Sequence, residues 1–124
     1  MPVHFVLKRF LPGFEEYGDL YEAIKTGKKT VEYRDDTWYW ANRLLSTKGL
    51  KLYNSINYRN SQNDLAKTVL FSFDLPELLK HTKATFRVGY TKGPTLHATI
   101  KKIIWKVSKK QFEIHIENVT ETQQ

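Results

Sequence analysis

Alternation of apolar and polar positions opens the chain. Val3, Phe5 and Leu7 share one face and His4, Val6 and Lys8 the other, which predicts a strand over 3–9. Leu11-Pro12-Gly13 ends it. The period then lengthens. Leu20, Ala23 and Ile24 form a helical stripe over 15–26, with Asp19 and Glu22 spaced as a capping box. Gly27 suits the left-handed position that closes such a helix. The next run, Gly27-Lys28-Lys29-Thr30-Val31-Glu32-Tyr33-Arg34-Asp35, reads as a turn entering a strand. Its alternation sends Thr30, Glu32 and Arg34 to one face and Val31 and Tyr33 to the other. A strand face bearing Glu and Arg two positions apart is either a solvated ion pair or a site.

Asp35-Asp36-Thr37 offers an N-cap for a helix over about 37–46, with Trp38, Ala41, Leu44 and Leu45 as its apolar stripe and Trp40 and Arg43 facing elsewhere. Leu50, Leu52, Ile56 and Tyr58 share parity and predict a strand over 50–58, and the polar run 59–66 a loop. Val69, Phe71 and Phe73 predict a short strand, and Asp74 and Glu77 around Pro76 a short helix through Leu78 and Leu79. The last third alternates more regularly. Strands are expected over 84–90, 95–107 and 112–116, with turns at Thr91–Pro94 and Ser108–Lys110. Adjacent Ile103 and Ile104 after Lys101 and Lys102 call for a bulge in the second of these. The sum is an α+β domain: a small, mostly antiparallel β-barrel with two or three short helices at its openings. No repeat or linker divides it. One domain over 1–119 is expected, with a frayed polar tail over 120–124.

Charge sharpens this picture. Lys and Arg number 20 against 13 Asp and Glu, a net charge of +7, which favours polyanionic partners. The alternative is charge that serves solubility alone. There are no cysteines, so disulfides, thiolate zinc sites and a cysteine nucleophile are excluded. No membrane span or secretory signal is visible, and a cytoplasmic protein is expected. His4, His81, His97 and His115 show no metal-ligand spacing, and no phosphate loop, dinucleotide fingerprint or nucleophile elbow occurs. Neither metal nor cofactor is expected. Two of the histidines meeting in space would permit general acid–base chemistry. In Trp38-Tyr39-Trp40, three successive aromatics on a helix cannot all point inward. Either Trp38 fills the core while a neighbour covers a barrel mouth, or one ring forms a stacking wall for a base.

The run Gly27-Lys28-Lys29-Thr30-Val31-Glu32-Tyr33-Arg34 resembles the signature of the ASCH domain, a branch of the PUA-like superfamily: a glycine, a lysine and Glu-x-Arg on the strand after the first helix. Leu20–Thr26 is similar to the family's first helix, and Ala84–Tyr90 to its second block. The run from Tyr33 to Leu45 resembles single-domain members common in phage genomes, whereas residues 46–82 are long for the family and stand as an insertion. The resemblance implies a PUA-like barrel whose cleft takes RNA or a nucleobase. It places Lys29, Glu32 and Arg34 at that site, and Lys28 and Thr30 of the same run, the stacking candidate Trp40 and the basic Arg87 stand beside them as further candidate contacts. Some ASCH-like proteins are amidohydrolases of acylated cytidine, with a lysine and a threonine three positions later. Here Lys29 matches the lysine, but Glu32 stands at the threonine position. A small hydrolase or ribonuclease with Lys29 and Glu32 catalytic is therefore the alternative, and a viral or host protein-interaction module working through 46–82 a third.

Overall fold

A computed structural model describes residues 2–7, 20–62, 67–89 and 93–122. Among the described residues there are six strands, β1 (Val3–Leu7), β2 (Val31–Asp35), β3 (Leu70–Phe73), β4 (Lys83–Val88), β5 (Thr95–Lys106) and β6 (Gln111–Thr122), and three α-helices, α1 (Leu20–Lys25), α2 (Trp38–Leu44) and α3 (Thr47–Gln62). The strands form one sheet in the order β1-β4-β5-β6-β2, and β3 pairs with the far half of β5. β4, β5 and β6 make the expected antiparallel meander. β1 joins β4 in parallel and β2 joins β6 antiparallel. The sheet curls into a half-barrel with β1 and β2 as its terminal strands, so the expected barrel is open rather than closed.

The concave face holds the core. Phe5, Phe73, Phe86, Leu96, Ile103, Trp105, Phe112 and Ile114 are all buried, and Trp105 is the largest side chain among them. Its indole N–H does not go unpaired: it donates to Asp36 Oδ2 at 2.8 Å. Tyr53 of α3 packs beside it with the rings tilted by 36° and centroids 4.6 Å apart, and donates its hydroxyl to the Asp36 carbonyl at 2.7 Å. One aspartate thus ties the turn after β2 to both the sheet and α3.

Several expectations need correction. Residues 50–58 are helical, as are 59–62, which were expected in a loop. α3 buries Gly49, Tyr53 and Ile56, spaced four and three apart, while Tyr58 is 69% exposed. Ser46 starts this helix. Its Oγ accepts from the Gly49 amide at 3.1 Å and its carbonyl accepts from the Leu50 amide at 2.8 Å. The shared parity of Leu50, Leu52, Ile56 and Tyr58 is incidental: Leu50 and Leu52 flank the buried stripe, Ile56 belongs to it and Tyr58 lies outside it. In α2, Thr37 is the N-cap, and Ala41, Leu44 and Leu45 are buried as expected. Trp38, however, is 55% exposed, whereas Trp40 packs on the core. The two indoles flank the buried stripe on opposite sides, and only Trp40's side is walled by β1, where it stacks on Phe5.

The helix at Pro76 is a single 3-10 turn, Pro76–Leu78, preceded by Leu75 rather than capped by Asp74. Gly27 closes α1 at φ 83°, in the left-handed region expected of it. β5 is bulged, with register shifts at His97/Thr99 and Ile100/Lys102 rather than at Ile103. Thr120–Thr122 do not fray: they pair with Thr95–His97 at the end of β6. The 46–82 segment supplies α3 and β3 to the same core and sheet. The proposed cap at Asp19 and the residues of the turn at 91–92 lie outside the described residues.

Candidate functional site

In an antiparallel pair, directly opposed residues share a face. Glu32 opposes Ile114 and Arg34 opposes Phe112, and both partners are completely buried. The charged face of β2 therefore turns into the concavity, and its apolar residues turn out, Tyr33 to solvent. This reverses the usual division of a half-buried strand. Glu32 is only 6% exposed.

Three groups converge on this carboxylate. Lys29 Nζ lies 3.5 Å from Oε1 and Arg34 Nη2 lies 3.7 Å from Oε2. The Tyr33 amide donates to Oε1 at 2.9 Å. The tight turn after α1 sets Lys29 in place, because its amide is bonded to the Ala23 carbonyl. The guanidinium of Arg34 is held by rings. Its Cζ is 4.9 Å from the Trp40 centroid and 5.1 Å from that of Phe5. Nη2 also reaches the Val6 carbonyl at 3.5 Å, so Arg34 spans the seam between the two terminal strands.

The ion contacts are long. A carboxylate dedicated to an arginine pairs at about 2.7–2.9 Å, often bidentately. Here Glu32 Oε2 and Arg34 Nε are buried and neither makes a hydrogen bond. An acceptor and a donor without hydrogen-bond partners thus sit side by side, next to a stacked Phe5–Trp40 pair with centroids 5.4 Å apart. Buried polar atoms of this kind are uncommon in folded proteins and call for an explanation. The arrangement leaves one acceptor and one donor without hydrogen-bond partners inside the seam.

Of the residues singled out in the sequence, Lys29, Glu32, Arg34 and Trp40 come together. Lys28 and Thr30 are exposed beside them, with Thr30 lining a shallow pocket under Asn118 and Val119. Arg87 does not join the group. It follows the buried Phe86 on β4 and lies on the convex face with His4 and His97. Phe5 and the Val6 carbonyl were not anticipated. Phe5 reads in the sequence as one more core residue of β1, and only the return of β1 beside β2 gives it a role here.

Outside the seam, Glu113 stands on the convex face beside Lys106 at 2.9 Å and His115 at 3.4 Å. Burial works to raise its carboxyl, but hydrogen bonds and charge from Lys106 and His115 outweigh this and hold it below the ordinary value of 4.5. Tyr21 donates to Glu121 at 2.6 Å, and burial together with that carboxylate pushes its hydroxyl well above the usual range for tyrosine. Among the described residues no group of three or more His, Asp or Glu side chains is arranged to hold a metal ion, and no helix is long and apolar enough to cross a membrane. Comparison of the chain with protein-family models, with curated proteins and with solved structures gave no match.

Proposed function

We propose that this chain is an RNA- or modified-nucleobase-binding domain of ASCH type, cytoplasmic and resembling phage members, that takes its ligand at the Lys29–Glu32–Arg34–Trp40 seam. One observation carries the reading: a buried carboxylate with an oxygen free of hydrogen bonds, facing a guanidinium whose Nε is also free, on the inner face of the half-barrel. Glu32 Oε2 accepts from an exocyclic amine, as carboxylates do from cytosine N4. Arg34 donates to a base carbonyl or a phosphate, and the exposed Lys28 beside the seam serves the backbone. Trp40, ordered by Phe5 and Arg34 on its face, offers an indole edge as an apolar wall beside the base.

The test is fluorescence anisotropy with labelled single-stranded RNA. Glu32→Gln and Arg34→Ala each remove one charge-assisted hydrogen bond. At about 1.5–3 kcal/mol for such a bond, affinity falls roughly 10- to 100-fold with an unchanged circular dichroism spectrum. Unchanged affinity in both variants overturns the site. A panel of acylated nucleosides incubated with the protein is expected to stay intact. Turnover abolished by Lys29→Ala would replace this reading with the hydrolase.

A further inference from the structure

Trp40 walls the seam but leaves little ring to stack on. It is half-buried, with Phe5 and Arg34 over it. The residue before it differs. Tyr39 meets Trp40 at a right angle, centroids 5.2 Å apart, and is 55% exposed. Trp40 thus lies between the Tyr39 ring and the Arg34 guanidinium, whose Cζ is 4.9 Å from its centroid. Arg43, one helical turn after Tyr39, sets its Cζ 3.3 Å from the Tyr39 centroid. Its Nη1 donates to the Tyr39 carbonyl at 3.1 Å. The guanidinium is therefore fixed against the ring, and it acts as a brace and a charge rather than as an open fork. Lys80 brings a second cation to the same helix, where its Nζ donates to the Asn42 carbonyl at 3.2 Å. α2 itself carries no acidic residue.

We propose that Tyr39 is a stacking platform for the nucleotide next to the one held in the seam, so that the ligand is a single RNA strand of at least two nucleotides rather than a free nucleobase. The inference rests on the seam being a base site. A platform must be open and already ordered. Tyr39 is both, since Arg43 and Trp40 hold its ring while more than half of the residue stays exposed. An aromatic ring takes any base, which suits a position beside a selective one. The charge of Arg43 and Lys80 complements the phosphates that join successive nucleotides. Trp38 is equally exposed, but it lies on the opposite flank of the buried stripe of α2, and among the described residues no cation stands over its ring. It serves as the internal control.

The test compares a strand with its monomers on the full chain. Labelled single-stranded RNA is followed by anisotropy, and the four nucleoside 5′-monophosphates by NMR titration. Tyr39→Ala is expected to weaken RNA binding about 5- to 100-fold, the worth of one base stack, and to leave the affinity for monophosphates unchanged. Tyr39→Phe, which keeps the ring, and Trp38→Ala should both bind RNA as the parent does. Glu32→Gln should weaken both kinds of ligand. RNA affinity that survives Tyr39→Ala but is lost in Glu32→Gln would overturn the platform and leave the seam standing. An equal loss in Trp38→Ala would mean unspecific contact by surface aromatics, and a Tyr39→Ala loss shared by the monophosphates would put Tyr39 in the seam itself. Either would overturn the proposal. A parent protein that binds no RNA would overturn platform and seam together.

Discussion

Glu32 and Arg34 occupy positions where a strand of this sheet would ordinarily carry Val or Ile. A buried ion pair of such length contributes little to stability, since desolvation offsets most of its Coulombic gain. Removing one partner is different. Glu32→Ala leaves two cations facing each other in the concavity and should cost about 1–3 kcal/mol, read as a lower urea midpoint. The paired replacement Glu32→Leu with Arg34→Met should recover that loss and still abolish RNA binding. A double variant as unstable as the single one would mean that the charges serve the fold. Glu113 gives a second test. Its folded pKa lies below its unfolded one, so its stabilising contribution is fully present above about pH 4.5 and is lost as pH falls through the lower, folded value. Urea midpoints of the parent protein and Glu113→Gln should therefore differ at neutral pH and converge in acid. A difference that is constant with pH would contradict the assignment.

The helices show where pattern recognition succeeds and where it fails. The stripe of α1 and the cap and stripe of α2 were legible because each falls within about one turn. α3 was not, because Leu50 and Leu52 lie on opposite flanks of a stripe whose centre is Gly49, Tyr53 and Ile56. A glycine carries no hydrophobic signal, yet Gly49 is where α3 approaches the Pro76–Leu78 turn most closely. A Cβ there would collide with the Leu78 carbonyl oxygen and press on Leu45. Alanine is the better helix former by about 1 kcal/mol. Gly49→Ala should nonetheless destabilise the protein by about 1–3 kcal/mol, as overpacking does. A rise in melting temperature would show that the turn yields. The strands of the last third were legible because two-residue periodicity survives a bulge on either side of it.

The molecule as a whole is a curled sheet with a polar seam where its ends approach, and seams of this kind cannot be read from local pattern. The sequence marks β2 as unusual through its charges. Whether those charges face water or the core depends on registration with Ile114 and Phe112, some eighty residues later, and on β1 arriving alongside. The same dependence hides Arg87, whose strand was predicted correctly but whose face was not legible. With a net charge of +7, RNA affinity should fall steeply with salt, and log Kd should be linear in log salt concentration. Arg34→Ala should lower that slope by about one contact if Arg34 meets a phosphate, and leave it unchanged if it meets a base.

The parallel pairing of β1 with β4 has a kinetic consequence. Opposed residues such as His4 and Thr85 are 81 positions apart in the chain. Among the described strands β1 precedes the others in the chain, yet it has no partner until β4 has followed, and loop closure over such a span is slow. Because β1 brings Phe5 and the Val6 carbonyl to the seam and β2 brings Arg34, the cradle is complete only once both terminal strands have docked over spans of this length. In refolding experiments, ligand competence should thus return with the slowest phase, after Trp105 has already entered the meander core.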